Sequence, residues 1–278
     1  MTLEESLRQA SARLQAVSDS PRLDAEVLLA HVLGVERTYL YTWPERPLPA
    51  AAAQRFRGLI ERRATGVPVA YLTGRQEFWS LPLEVTPATL IPRPETELLV
   101  EQALARLPAG GSRTVLDLGT GSGAIALAIA SERPMVRVCA VDISPEALQV
   151  AARNSKRLGL AIELLESDWY AALAGRRFDL IVANPPYIGP EEPEASQGGC
   201  RFEPRSALVA ADAGLAALRH IAQHAPAHLE PGGWLLVEHG YRQGPACRAL
   251  FAAAGLTAVE TLPDLQGHDR LTLGRYQP

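Results

Sequence analysis

Asn184-Pro185-Pro186-Tyr187 is the stretch whose residue types could do chemistry together. It follows Phe178-Asp179-Leu180-Ile181-Val182-Ala183, a mostly apolar run that reads as a buried strand, so it falls just past a strand's carboxyl end. Open parallel sheets bind their ligands there. The Asn184 side-chain oxygen and the Pro185 carbonyl are both acceptors, held by a chain with two fixed φ angles. Two such acceptors can take the two N–H bonds of one planar NH2 group. In an amide or an exocyclic amine the nitrogen lone pair is delocalised, so this nitrogen is a poor nucleophile. Capturing both N–H bonds orients it and favours rehybridisation as a new N–C bond forms. Tyr187 would lie flat against the planar group. The chemistry is then alignment and electrostatics, with no strong base required. Read alone, Asn-Pro-Pro is also an ordinary strand-to-loop breaker.

A second constellation lies upstream. Asp117-Leu118-Gly119-Thr120-Gly121-Ser122-Gly123 follows an apolar strand and opens a helix. Glycines in that place let the backbone turn sharply and approach a ligand closely. Asp142 ends the next strand, where a carboxylate can accept both hydroxyls of a ribose. The pair predicts an adenosine-containing cofactor. Gly119, Gly121 and Ala124 also satisfy the dinucleotide pattern G-x-G-x-x-A, so the turn by itself admits NAD. The fourth-strand motif favours S-adenosylmethionine, whose methyl sulfonium carries the driving force for transfer to nitrogen. Ser167-Asp168-Trp169 ends the third strand. Trp169 could pack on an adenine face and Asp168 accept from its amino group; a core tryptophan beside a surface acid fits equally well.

The elements that must position these residues alternate from Thr114 onward. Strands are expected at Val115–Leu118, Val136–Val141, Ile162–Leu165, Phe178–Ala183 and Trp234–Glu238. Helices are expected at Ala124–Ser131, from Ser144-Pro145-Glu146 to Leu158, at Ala213–Leu229 and at Gly244–Ala254. Val259–Leu262 and Arg270–Leu273 are two closing strands without a helix between them. The pattern is α/β, a doubly wound, mostly parallel, Rossmann-like sheet with one antiparallel insertion. Upstream, residues 1–72 read as a small all-helical domain. Thr2-Leu3-Glu4-Glu5 is a capping box, followed by Leu3, Leu7, Ala10, Leu14 and Val17 at helical spacing. A second helix starts at Ser20-Pro21 and stops at Gly34, and a third spans about 50–64. Residues 73–92 read as a linker in which Glu77-Phe78-Trp79 and Leu83-Glu84-Val85 flank a Ser-Leu-Pro turn. The catalytic domain is then 93–278, opening with a helix from Glu95 to Leu107. Its 185–206 segment is a long loop rich in Pro, Glu and Gly.

Composition narrows the partners. The formal net charge of the 278 residues is -4, which argues against a dedicated nucleic-acid channel. Cys139, Cys200 and Cys247 are sparse and unpaired in sequence, which fits a reducing compartment. The start of the chain lacks a signal-peptide pattern and no run approaches the ~20 apolar residues of a membrane span. A cytoplasmic protein without membrane contact is expected. His220, His224 and His228 recur every four residues, but Pro226 interrupts them and no carboxylate or cysteine joins; a solvated helix face is expected and no metal. Cys139 is expected to be an inert core thiol, and Trp43, Trp79 and Trp234 packing residues. Arg201 and Arg205 fit anion contacts or plain surface charge alike.

The glycine turn with Asn184-Pro185-Pro186-Tyr187-Ile188 resembles class I S-adenosylmethionine methyltransferases of the amino-methylating type, which have a seven-stranded sheet. Further pieces resemble the HemK/PrmC family: Pro68-Val69-Ala70-Tyr71-Leu72-Thr73-Gly74, Glu77-Phe78-Trp79, Ile91-Pro92-Arg93-Pro94-Glu95-Thr96-Glu97, Arg201-Phe202-Glu203-Pro204, Glu238-His239-Gly240 and Asp264-Leu265-Gln266-Gly267. The resemblance runs over nearly the whole chain. It implies methylation of the glutamine side-chain amide in the Gly-Gly-Gln motif of class I peptide chain release factors. It implies cofactor contacts at Gly119, Thr120, Gly121, Ser122, Gly123, Asp142, Trp169 and Asn184. Asn184, Pro185, Pro186 and Tyr187 would hold the glutamine, and the helical domain would help grip the release factor. A DNA or RNA amino-methyltransferase acting on an exocyclic base NH2 is the alternative that the same tetrapeptide allows.

Overall fold

The computed structural model describes every residue from Met1 to Pro278 and divides into two compact units, Met1–Arg75 and Gln76–Pro278. The first unit is helical: α1 (Leu3–Leu14), α2 (Pro21–Leu33), α3 (Arg37–Thr42), α4 (Ala50–Ala64) and α5 (Val69–Thr73). Thr2 caps α1 by accepting from Glu5 N at 3.2 Å, while Glu5 Oε2 accepts from Thr2 N at 2.9 Å. Leu3, Leu7, Ala10 and Leu14 form its buried stripe. Val17 lies beyond the helix end and is 37% exposed, so the helical spacing stops one turn earlier than its sequence suggests. Gly34 stops α2 in the left-handed region at φ 67°, its N–H returning to Ala30 O and His31 O. The expected packing role of Trp43 is corrected: it is 40% exposed, with the Arg46 guanidinium 4.3 Å from its ring centroid. An apolar ring that stacks on a cation gains without burial.

A hairpin, β1 (Arg75–Phe78) and β2 (Leu81–Glu84), begins at the last residue of the first unit and lies otherwise in the second. Its turn is Trp79-Ser80, both left-handed at φ 51° and 58°, and not the expected Ser-Leu-Pro. That is the geometry a two-residue hairpin prefers, normally filled by Asn or Gly. Here tertiary bonds hold it: Trp79 N donates to Glu97 Oε1 at 2.9 Å and Trp79 Nε1 to Glu132 Oε1 at 2.9 Å. Pro82 is tolerated within β2 because a two-stranded sheet has only edges. Phe78 and Leu83 belong to the core of the second unit.

The sheet that follows has the order β5-β4-β3-β6-β7-β9-β8. Its strands are β3 (Thr114–Leu118), β4 (Arg137–Asp142), β5 (Glu163–Glu166), β6 (Phe178–Ala183), β7 (Leu229–Glu238), β8 (Leu256–Pro263) and β9 (Asp269–Tyr276). The first five are parallel; β9 runs antiparallel to β7 and β8, as the two closing strands predict. Period-two alternation splits the strand residues between two cores. Val115, Val138, Leu180, Val182 and Leu236 face α6 (Glu97–Arg106) and α7 (Ala124–Glu132). Leu116, Leu118, Val141, Ile181 and Val237 face α9 (Ala216–His228) and α10 (Gly244–Ala253). α8 (Pro145–Leu158) packs over β4 and β5 and is capped by Ser144 Oγ, which accepts from Ala147 N at 3.1 Å. The expected start of α9 at Ala213 is corrected. Asp212, Ala213 and Gly214 have φ of 58°, 50° and 81°, which no right-handed helix can contain. No helix is long and apolar enough to cross a membrane.

Candidate active site

The strand order reverses between β3 and β6. From β3 the chain builds outward through β4 and β5, then returns to the other side of β3 with β6. Leu118 pairs with Ala183 and with Val141. Sheet register therefore places the three segments that follow, Gly119–Gly123, Asn184–Tyr187 and Asp142, side by side at one strand-end crevice.

The glycine turn is anchored from behind. Gly119 N and Thr120 N both donate to Val141 O at 2.9 Å. Thr120 Oγ1 donates to Asp117 Oδ2 at 2.7 Å, beneath the turn. Asp117 is fully buried with Oδ1 unpartnered, and burial pushes its carboxyl up to about 7. Asn154, fully buried on α8, donates to Ser122 O at 2.9 Å and to Glu84 O at 3.0 Å, so it ties the turn to β2. Gly119, Gly121 and Gly123 all have positive φ, but they serve different ends. A Cβ on Gly123 would meet Leu127 at 3.1 Å and Ala151 at 3.3 Å, so helix packing requires that glycine. A Cβ on Gly121 would meet nothing within 4 Å, because this residue borders open space.

That space is a cavity of about 380 Å3. Gly119 to Ser122, Asp142, Asp168, Trp169, Asn184, Pro185 and Pro186 all line it, which brings most of the expected site residues together. Gly123 and Tyr187 are not in its lining. Asp142 Oδ2 accepts from Gly121 N at 2.8 Å and Oδ1 from Ser144 N at 2.9 Å. Burial raises its pKa, and these N–H groups oppose the rise. Each oxygen keeps a lone pair for a hydroxyl donor. Trp169 stands at φ 49°, a rare conformation for a bulky residue, and its Cζ3 is 3.8 Å from where a Cβ on Gly119 would be. Ile143, 62% exposed, lines the same cavity; an apolar side chain left open beside a carboxylate was a signal the sequence reading passed over. A mixed cavity of this size, with an open glycine turn and a carboxylate for a diol, fits an adenosine-type cofactor.

Asn184 donates from Nδ2 to Thr96 Oγ1 at 3.1 Å. Tyr187 lies away from the cavity: its Cδ2 is 3.6 Å from where a Cβ on Gly240 would sit. Burial raises the Tyr187 hydroxyl above its ordinary range. Its carbonyl accepts from Gln243 Nε2 at 2.9 Å, and Ile188 is stitched to Leu208 O and Ala210 N at 2.9 Å. The tetrapeptide is thus braced on its far side by the 208–214 segment and by Gln243, just before α10.

Four residues at or near the site had no role of their own assigned from the sequence: Arg93, Thr96, Glu203 and Glu238. Glu203, with a side chain 1% exposed, pairs with Arg93 and accepts from Ile91 N at 3.0 Å. It fastens the 185–206 loop, which forms short 3-10 turns at Pro193–Ser196, Cys200–Phe202 and Arg205–Ala207, to the segment before Pro94. Removing one partner of a buried pair costs about 3 kcal/mol or more. Glu203→Ala is expected to lower the melting temperature of the second unit by about 6–12 °C, read by calorimetry. A shift within error would show the loop is held by other means.

The three helical histidines do not converge on a common point for a metal. His228 stacks on Tyr170 with centroids 4.6 Å apart, and His220 stacks on His224 at 4.3 Å. Burial pushes the Cys139 thiol up to about 11, which keeps it inert. Arg201 lies over the Phe202 ring at 4.8 Å. Trp79 and Trp234 pack partly buried against the core.

A seven-stranded sheet of this order, with a glycine turn, an acid and Asn-Pro-Pro-Tyr at its switch point, defines a class I methyltransferase, which draws its methyl group from S-adenosylmethionine. Residues 5–74 match the PrmC N-terminal domain and residues 94–196 the methyltransferase small domain. The chain is 55% identical to the release factor glutamine methyltransferase of Salmonella typhimurium, covering 94% of each chain. It is 53% identical to the release factor glutamine methyltransferase of Escherichia coli, covering 99% of each. A 16S rRNA methyltransferase from T. Thermophilus, solved in complex with AdoMet and guanosine, shares the fold: 22% identity, a TM-score of 0.55, 73% of this chain and 50% of that one covered. The chain belongs to the release factor glutamine methyltransferase family, as its motifs lead one to expect.

Proposed function

We propose that the chain methylates the side-chain amide nitrogen, N5, of the glutamine in the Gly-Gly-Gln motif of class I peptide chain release factors, in the cytoplasm. The observation that carries this reading is the position of Asn184 and Pro185 on the wall of the same cavity as the glycine turn and Asp142. Residues 1–72 would help grip the release factor, and the chain would not recognise nucleic acid specifically; the net charge of -4 supports the second point.

S-adenosylmethionine, when bound, supplies an electrophilic methyl group. Gly119, Thr120, Gly121 and Ser122 would hold it by backbone approach, with Gly123 shaping the turn behind them, Asp142 by its ribose, and Trp169 by its base. Asn184 Oδ1 accepts one N–H of the glutamine amide and the Pro185 carbonyl accepts the other. The nitrogen lone pair is then turned out of conjugation and towards the cavity. Pro186 limits the backbone to one path, and Tyr187 braces the clamp from its far side through the bond of its carbonyl with Gln243. No side chain in the cavity has to act as a strong base, because the nitrogen loses its proton only after it has gained a bond.

Incubation with labelled S-adenosylmethionine and a purified release factor tests the reading. Label is expected on the Gly-Gly-Gln glutamine and absent when that glutamine is replaced. Label on DNA or RNA, with none on the release factor, would overturn it in favour of a base amino-methyltransferase.

A further inference from the structure

Thr96 ends the 3-10 turn Pro94–Thr96 and leads directly into α6, with helical φ −67° and ψ −18°. Its hydroxyl makes no hydrogen bond to the N–H groups of α6. Buried, the hydroxyl accepts from Asn184 Nδ2 at 3.1 Å, and it faces the Glu238 carboxyl at the end of β7, whose pKa it holds down against the rise from burial. Glu238 is fully buried, and its Oε2 has no partner. A buried carboxyl with an unpartnered oxygen calls for an explanation beyond packing.

We propose that Glu238 and Thr96 are positioning residues that set which way round the Asn184 amide sits, and hence that its oxygen faces the substrate. The proposal rests on the amide-methylating reading of the site. An ionised carboxylate can only accept, so Thr96 must give Glu238 its one proton. Its remaining lone pairs then face Asn184, and only the NH2 end of that amide can meet them. The amide oxygen is thereby turned to the other side, where a substrate N–H needs an acceptor. Reversed, Asn184 would present donors to donors. Thr96 and Glu238 act through Asn184 and touch neither the methyl group nor the nitrogen.

Protonation undoes the arrangement. A neutral Glu238 can donate to Thr96, which frees the threonine proton for the Asn184 oxygen, so both orientations become allowed. Burial pushes the Glu238 carboxyl up to about 7; Thr96 and the guanidinium groups of Arg270 and Arg93 oppose the rise, and Glu95 adds to it. The Tyr187 hydroxyl also faces this carboxyl and stays neutral. The amide is therefore held above that pH and released as pH falls through it.

Two readouts test this. In side-chain amide 15N spectra, the Asn184 NH2 pair, assigned by its loss in Asn184→Ala, is expected to shift as pH crosses about 7 and to stay still in Glu238→Gln. This needs no methyl acceptor, so it stands apart from any failure of the functional reading. On the release factor, Thr96→Val is expected to lower kcat about 10- to 100-fold with KM for S-adenosylmethionine little changed, and Thr96→Ser to restore most of the loss. The fall of kcat below about pH 7 is expected to vanish in Glu238→Gln. An Asn184 pair that does not titrate, or titrates equally in Glu238→Gln, overturns the proposal. A kcat for Thr96→Val equal to that of the unaltered chain does so as well.

Discussion

Asn184→Ala is expected to bind S-adenosylmethionine almost as tightly as the unaltered chain and to lose about 100- to 1000-fold in kcat. The asymmetry follows from geometry. Asn184 is one of many residues lining the cavity, and in the proposed reading the glycine turn and Asp142 would provide the directional contacts for a nucleoside. It is, however, one of only two acceptors in the clamp. The other is the Pro185 carbonyl, which no side-chain substitution removes. Losing one acceptor leaves the glutamine amide free to rotate about the other, and its lone pair spends most of its time conjugated and misdirected. Binding of cofactor by calorimetry and single-turnover rates on the release factor separate the two effects. A loss carried wholly by cofactor affinity, with unaltered single-turnover rate at saturation, would sink the assignment of Asn184 to the clamp.

The tetrapeptide was legible because its evidence is local. A strand, a breaker and two prolines stand in sequence order, and strand ends of a parallel sheet are where sites form. The glycine turn was legible for the same reason. What stayed hidden was contact across distance and departure from local rule. Thr96 and Asn184 are 88 residues apart, and nothing in either neighbourhood says that they touch. A threonine in the first turn of an expected helix gives no local sign of where its hydroxyl points. Trp79-Ser80 has the wrong residue types for its turn and is held by Glu97 and Glu132, acids that sequence alone cannot aim. Helices α3 and α5, six and five residues long, are too short to show a period. The left-handed run Asp212-Ala213-Gly214 looked like a helix start because alanine favours helices; tertiary demand overrode that propensity.

That run is where the second large effect is expected. Gly214→Ala is expected to cost roughly 2–5 kcal/mol of stability and about 100-fold or more in turnover. A Cβ at Gly214 would stand 2.0 Å from Tyr187 O and 2.7 Å from Gln243 Nε2. Neither neighbour can yield cheaply. One is backbone of the clamp itself, and the other is the side chain that donates to that same carbonyl at 2.9 Å. Relief must come from moving Tyr187, and with it Pro185 and Asn184, by a good fraction of an ångström. Gly255→Ala is the control: Gly255 has the same φ, 81°, but a Cβ there meets nothing within 4 Å. It should cost only the left-handed penalty of about 1–2 kcal/mol and leave kcat unaltered. Equal losses in the two variants would mean that backbone conformation alone sets the cost. Unequal stability with equal kcat would mean that the clamp tolerates displacement. Loss of both stability and kcat in Gly214→Ala alone is the outcome that ties this glycine to the aim of the Asn184-Pro185 acceptors.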